Sequence, residues 1–467
     1  KRAAGSGKAS IMNDQQFEAY IREQRPIHLI GIGGVSMRAL ARMLQHMGAR
    51  VRGSDRDASR YTQELCQAGI PVTIGHHSEN TAGAGLVIRT AAIPDTNPEI
   101  QAARAAGIPI LSRADAWGMI MTHYRRVVCV AGTHGKTSTT AMIATFADAA
   151  AMDPTVMVGG DLPSIGGTLR IGQSDLFVAE ACEYRNSFLS FHPSVAVILN
   201  IDMDHLDFFK DLDDIMRSFR QFALLTPEDG AVIINGGDEH CRQAVDGISR
   251  RVITFGLSED CDIHPAQLTL ENGYYCCDIV AFGKPFCPLR LQVPGEHNLL
   301  DALAAAAVAV ELGTAPEDFA HGIQDYHGVG RRFEFKKEWR GARIYDDYAH
   351  HPSEIEATLK AARALEPRRV ICVFQPHTYS RTVSLLDPFA QALSHADHVI
   401  LCPIFAARET NTYGISSQDI AKRIPQAETA SDLADAAARL GRLVQPGDLV
   451  FLMGAGNVNQ IAELLED

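Results

Sequence analysis

A chain of 467 residues, 46% of them apolar and 21% charged, is long enough for two to four domains with cores of their own. Its net charge of −13 argues against a large nucleic-acid surface but leaves room for anionic metabolites, because local loops and helix ends can reverse the field. No apolar run reaches the length of a membrane span, and the ten cysteines show neither a CxxC pair nor zinc-like spacing, so they read as small core residues in a reducing compartment.

Residues 1–10 are small, basic and poor in information; they read as a non-native remnant or an unstructured leader, not as a targeting signal. Residues 12–121 then alternate strand-like runs at 27–30, 49–51 and 86–88 with Ala-rich stretches such as 37–47, the rhythm of a doubly wound α/β unit. A second unit spans 122–330. Its strand signals fall at 127–130, 176–178, 194–199, 231–234 and 251–254, followed by a polar stretch at 260–283 that suggests antiparallel edge strands and an alanine-dominated helix at 298–312. The third unit, 331–467, carries strand signals at 342–345, 370–374, 398–401 and 449–453. In α/β units ligands bind at strand ends, so chemistry assembled in clefts between the three is expected.

The densest signal is Gly132-Thr133-His134-Gly135-Lys136-Thr137-Ser138, set between a strand and a helix. Backbone N–H groups and a helix N-terminus converge there, Lys136 adds positive charge, and Thr137 can place a hydroxyl on a nucleotide's magnesium. The common P-loop pattern needs glycine where Val130 stands, so the loop is an off-pattern phosphate cradle. Upstream, Gly31, Gly33 and Gly34 follow a strand and Asp55 ends the next; they suit a diphosphate and a ribose hydroxyl, or simply a tight packing turn. Glu180 and His205 sit at strand ends where magnesium ligands are expected, with Glu183 either a second acid or a solvent-facing one. His297 and Asn298 open the alanine-rich helix and offer hydrogen bonds to an adenine edge or nearby hydroxyls, although Asn298 could simply cap the helix. Arg332 is placed to reach phosphates from a domain boundary or to form a hinge salt bridge. Asp347, His350, His351 and Arg381 lie in polar loops of the third unit, where His350 or His351 could face substrate and Arg381 could pair with a carboxylate.

Taken in order, the stretches around Gly31, Lys136, Glu180 to Arg185, Asn200 to His205, His297-Asn298, Arg331-Arg332-Phe333, Asp346 to Pro352 and Gly454 to Asn457 resemble the Mur ligases of bacterial cell-wall synthesis. The resemblance covers residues 25–463 and is strongest to the alanine-adding branch. It implies an α/β fold of three domains: a Rossmann-like N-terminal domain, a P-loop ATPase-like central domain and a Rossmann-like C-terminal domain. It implies a cytoplasmic enzyme, monomer or homodimer, that uses ATP and Mg2+ to join the lactyl carboxylate of UDP-N-acetylmuramate to L-alanine through an acyl phosphate.

By the same resemblance, Lys136 would bind ATP phosphates, Thr137 and Glu180 would hold magnesium, and His205 would serve a second magnesium. His297 and Asn298 would contact adenine, and Arg332 and Asp347 would meet the nucleotide. Gly31 to Gly34 would hold the UDP diphosphate, with His350 and Arg381 on the amino-acid side. Cys182 stands where many relatives carry aspartate, which argues against a metal role for it, and Asp301 stands where they carry asparagine. A ligase that reattaches recycled murein peptides is the near alternative; a nucleotide switch protein and a nicotinamide-dependent oxidoreductase are the distant ones.

Overall fold

The computed structural model describes residues 12–205, 208–407 and 409–466; the leader at 1–10 lies outside them. Three sheets follow one another along the chain. The first has β1 (Ile27–Ile30), β2 (Val51–Asp55), β3 (Val72–Ile74), β4 (Leu86–Arg89) and β5 (Ile110–Ser112), all parallel in the order β3-β2-β1-β4-β5. The strand expected at 49–51 begins only at Val51, because Ala49 still closes the preceding helix through its N–H to Leu44.

The second sheet has ten strands: β6 (Arg126–Ala131), β7 (Thr155–Leu162), β8 (Gly167–Arg170), β9 (Leu176–Glu180), β10 (Val195–Ile198), β11 (Ala231–Asn235), β12 (Arg251–Phe255), β13 (Ile263–Glu271), β14 (Tyr274–Ala281) and β15 (Lys284–Arg290). They run in the order β15-β14-β13-β12-β11-β10-β6-β9-β7-β8. β6 lies between β10 and β9, both parallel to it, with Ala131 beside Ile198 and Val130 beside Glu180. The carboxyl ends of these three strands, where the chain leaves for three different loops, therefore converge. The expected polar antiparallel segment forms β13 and β14 and continues into β15, whose Pro285 and Pro288 are compatible with its edge position.

The third sheet has β16 (Glu334–Trp339), β17 (Ala342–Asp347), β18 (Val370–Phe374), β19 (His398–Leu401), β20 (Ala427–Thr429) and β21 (Leu449–Met453), ordered β16-β17-β21-β18-β19-β20. Only β16 is antiparallel to its neighbour.

Buried side chains connect two of these units more closely than the third. One apolar cluster runs from Phe17 and Leu29 through Trp117 and Ile120 to Phe177 and Phe188, joining the first unit to one face of the second sheet. The third sheet keeps separate clusters on its two faces. Gly118 marks how close the first join is: a β-carbon there would lie 1.9 Å from the Ser190 carbonyl oxygen, so a side chain is excluded. No helix among the described residues is long and apolar enough to cross a membrane. The cysteines are unbridged and mostly buried.

Candidate functional site

β6 is buried along most of its length, as a strand covered on both faces must be, and its apolar run ends where the phosphate loop begins. Gly135 caps the following helix, Lys136–Ala149, with φ +83°; a β-carbon there would lie 2.5 Å from Asp301 Oδ1, so both backbone and space demand glycine. The loop is tied to the end of β10, since Thr133 N–H donates to the Asn200 carbonyl (3.1 Å) and His134 N–H to Asn200 Oδ1 (2.8 Å).

Thr137 and Glu180, expected together, are together: Thr137 Oγ1 donates to Glu180 Oε2 at 2.9 Å, and Gly159 N–H donates to the same oxygen at 2.7 Å. A hydroxyl and a carboxylate side by side are hard oxygen donors and fit magnesium. Lys136 folds back on its own loop, donating to the carbonyls of Gly132 and Thr133, and pairs with Glu183 Oε2 at 3.1 Å. Burial disfavours the charge on Lys136, but the acids around it, Glu183 foremost, hold its pKa above the ordinary value. Glu183 is only 2% exposed, which removes the solvent-facing reading of this residue. His205 Nε2 lies 3.5 Å from Glu183 Oε1 and 3.7 Å from Asp204 Oδ2, and its ring packs on Tyr184 at 4.6 Å.

A cavity of about 440 Å³ opens on the other side of the loop. It gathers His134, Gly135 and Ser138 with His297, Asn298, Asp301, Arg332 and Asp347, so residues far apart in sequence face one space. Asn298 does not cap its helix: Gly295 holds that position, and Asn298 Nδ2 donates instead to the Pro294 carbonyl at 2.7 Å. Burial and the neighbouring Arg332 drive the His297 pKa down to about 4, leaving a neutral ring. Burial raises Asp301 to about 7, and its Oδ2 has no hydrogen-bond partner among the described residues. Arg332 pairs with Glu354 at 3.4 Å and its neighbour Arg331 with Asp346 at 3.1 Å, so both arginines at this boundary form ion pairs. Asp347 is turned largely inward, accepting from Phe333 N–H, Ala349 N–H and Thr358 Oγ1.

A larger cavity, about 1080 Å³, starts at Gly31, Gly33 and Gly34 and extends past Arg113 to Glu180 and Cys182. Asp55 lines it, but its Oδ2 accepts the Gly33 N–H at 2.8 Å, so this acid also braces the turn.

Polar contacts dock the third unit on the second. Arg381 donates to Asp204 Oδ1 at 2.8 Å, Ser353 Oγ to Asp202 Oδ2 at 2.8 Å, and His351 Nε2 to the Met203 carbonyl at 3.2 Å. Arg381 thus does have a carboxylate partner, and it is the protein's own. His350 contacts the Tyr348 carbonyl and Glu354 and lines neither cavity. Glu354 holds much of this seam together and was not singled out in the sequence; it lies 3.4 Å from His134 and accepts the N–H groups of His350 and His351. Its signal was the capping box formed by His351 and Glu354 at the start of the helix Pro352–Ala364.

Three α/β units, a phosphate loop at converging strand ends and a cavity on either side define a nucleotide-using α/β enzyme. Three family models match in chain order: "Mur ligase family, catalytic domain" over residues 26–125, "Mur ligase middle domain" over 130–309 and "Mur ligase, glutamate ligase domain" over 331–456. The chain belongs to the Mur ligase family, and its three-part α/β architecture is the one expected from the sequence. It is similar to the UDP-N-acetylmuramate–L-alanine ligase of Agathobacter rectalis, at 46% identity over 94% of this chain and 96% of that one. The ligase of the same name from Caldanaerobacter subterraneus is 43% identical over 96% and 98% of the two chains. Among solved structures, the UDP-N-acetylmuramate–alanine ligase of Thermotoga maritima superposes with a TM-score of 0.79 at 28% identity, covering 94% of this chain and 97% of that one.

Proposed function

We propose that this chain is an ATP-dependent carbon–nitrogen ligase of peptidoglycan precursor synthesis that joins the lactyl carboxylate of UDP-N-acetylmuramate to L-alanine. The observation that carries the reading is that the phosphate loop lines one cavity and is bonded, through Thr137, to Glu180 on the wall of another. One runs from the glycine turn to Glu180; the other gathers His297, Asn298 and Arg332. A sugar nucleotide in the first and ATP in the second would bring a carboxylate and a γ-phosphoryl group to the same loop. The names of the closely similar ligases support this choice of substrates.

A carboxylate resists amines because it is a resonance-stabilised anion. Transfer of the γ-phosphoryl group to a carboxylate oxygen, with ADP leaving, makes an acyl phosphate. The neutral amine of L-alanine then attacks the acyl carbon, the bond to phosphate oxygen breaks, and the nitrogen loses its proton as the amide forms. Lys136 would exchange Glu183 for the phosphates, and Arg332 would add positive charge from the third unit's side. Thr137 and Glu180 would hold magnesium, with His205 serving a second ion, and when bound these ions would supply positive charge against the phosphoryl oxygens. His350 would help to position the amine, and docking of the third unit would keep water from the acyl phosphate. We place the enzyme in the cytoplasm, where ATP and the sugar nucleotide are available.

The test supplies ATP, UDP-N-acetylmuramate and one amino acid at a time, following phosphate release and product mass. L-Alanine is expected to give the best turnover. Equal or better turnover with a murein tripeptide overturns the assignment.

A further inference from the structure

We propose that Arg113 is the residue that receives the substrate's carboxylate, holding the acid of the sugar nucleotide beside the phosphate loop. The inference rests on the functional reading above and deepens it.

Arg113 is the first residue of the helix Arg113–Met121 and lines the larger cavity between the glycine turn and Glu180. The cationic or potentially cationic side chains on the described walls of that cavity are Arg56, His76 and Arg113. Arg56 is exposed and paired with Asp57 at 2.6 Å; His76 is held by the buried Glu99 at 3.1 Å. Arg113 has no ion pair and no side-chain hydrogen bond among the described residues, although it is partly buried.

Its neighbours are otherwise engaged. Asp115 accepts from Ser112 with one oxygen and from Ser190 Oγ with the other. Glu180 Oε2 is taken by Thr137 and Gly159. Cys182 on the same wall is a free thiol and not a carboxylate. Burial lowers the Arg113 pKa although the nearby Glu180 carboxylate partly opposes it, and a helix N-terminus repels cations, so the guanidinium is left under-compensated. An anion arriving with the ligand would remove both penalties, and a planar carboxylate matches the guanidinium fork. The position is also fixed in advance. The Ser112–Asp115 capping box sets the helix start, and the Gly118–Ser190 approach pins the helix to the second unit.

The test compares UDP-N-acetylmuramate with UDP-N-acetylglucosamine, which lacks the lactyl acid, by isothermal titration on wild type, Arg113→Met and Arg113→Lys. The methionine variant is expected to lose about 10- to 100-fold in affinity for the acid-bearing ligand and to keep its affinity for the other. The lysine variant is expected to recover part of the loss, which separates missing charge from misfolding. Equal loss for both ligands, or no loss for either, overturns the role of Arg113. A wild-type protein that binds neither ligand overturns the functional reading itself, and this inference with it.

Discussion

Replacing Glu99 with glutamine tests what holds the first unit together beneath the glycine-turn cavity. Glu99 is fully buried and its carboxylate accepts four bonds: from His28 Nε2 (2.9 Å), Ser54 Oγ (2.7 Å), His76 Nδ1 (3.1 Å) and Asn80 Nδ2 (2.7 Å). Burial alone would raise its pKa, but these donors, His28 first, bring it down to about 2 from an ordinary 4.5. At 1.36 kcal/mol per tenfold change, that depression stabilises the native state by about 3 kcal/mol at neutral pH. Glutamine keeps one acceptor and turns an NH2 group toward two donors, so a loss of about 2–4 kcal/mol is expected. Because the folded pKa is depressed, the contribution is complete above about 4.5 and disappears as pH falls through about 2. The gap between wild type and variant should therefore shrink to under half its neutral value by about pH 3. The chain has two tryptophans, and in a Trp339→Phe background the remaining Trp117 reports urea unfolding of the first unit together with its join to the second sheet. A neutral-pH loss below about 0.5 kcal/mol, or a gap that does not narrow in acid, refutes the reasoning.

Lys136→Ala should abolish ligation, by about a thousandfold or more, yet leave UDP-sugar affinity nearly intact; phosphate release and titration calorimetry measure the two separately. Gly135→Ala meets both a left-handed backbone and the Asp301 carboxylate, so a stability loss of at least about 1 kcal/mol and weaker nucleotide binding should appear in thermal-shift assays. For His134, burial opposes the charge but Asp202 and Glu354 raise its pKa to about 9. That contribution is complete below about 6.5 and is lost as pH rises through about 9, so docking of the third unit should loosen between pH 8 and 10 in small-angle scattering. An unchanged radius of gyration across that interval counts against the pairing.

The apolar runs that became central strands were legible because a strand buried on both faces leaves an uninterrupted signature: 370–374, 398–401 and 449–453 match β18, β19 and β21 end to end. Edge strands carried no such signature. β15 contains two prolines and β16 is mostly charged, and β7, one strand in from the β8 edge, contains Gly159 and Gly160. Motif residues such as Thr137 and Glu180 were readable because their strand-end context is local. Arg113 and Asp204 were not: one is a single arginine opening an ordinary helix, and the other is defined by Arg381, 177 positions away. Local sequence also could not tell that Asp55 and Asp347 spend much of their hydrogen-bonding capacity on backbone N–H groups.

The missing side chain at Gly118 has a consequence beyond packing. It lets the helix that bears Arg113 lie flush against Ser190, so the first-unit and second-unit walls of the larger cavity are packed directly on each other. Walls packed together in this way would act as a gauge for the span from the glycine turn to Glu180. A sugar nucleotide whose acid falls short of that span, or overshoots it, would be rejected on length, whatever its charge.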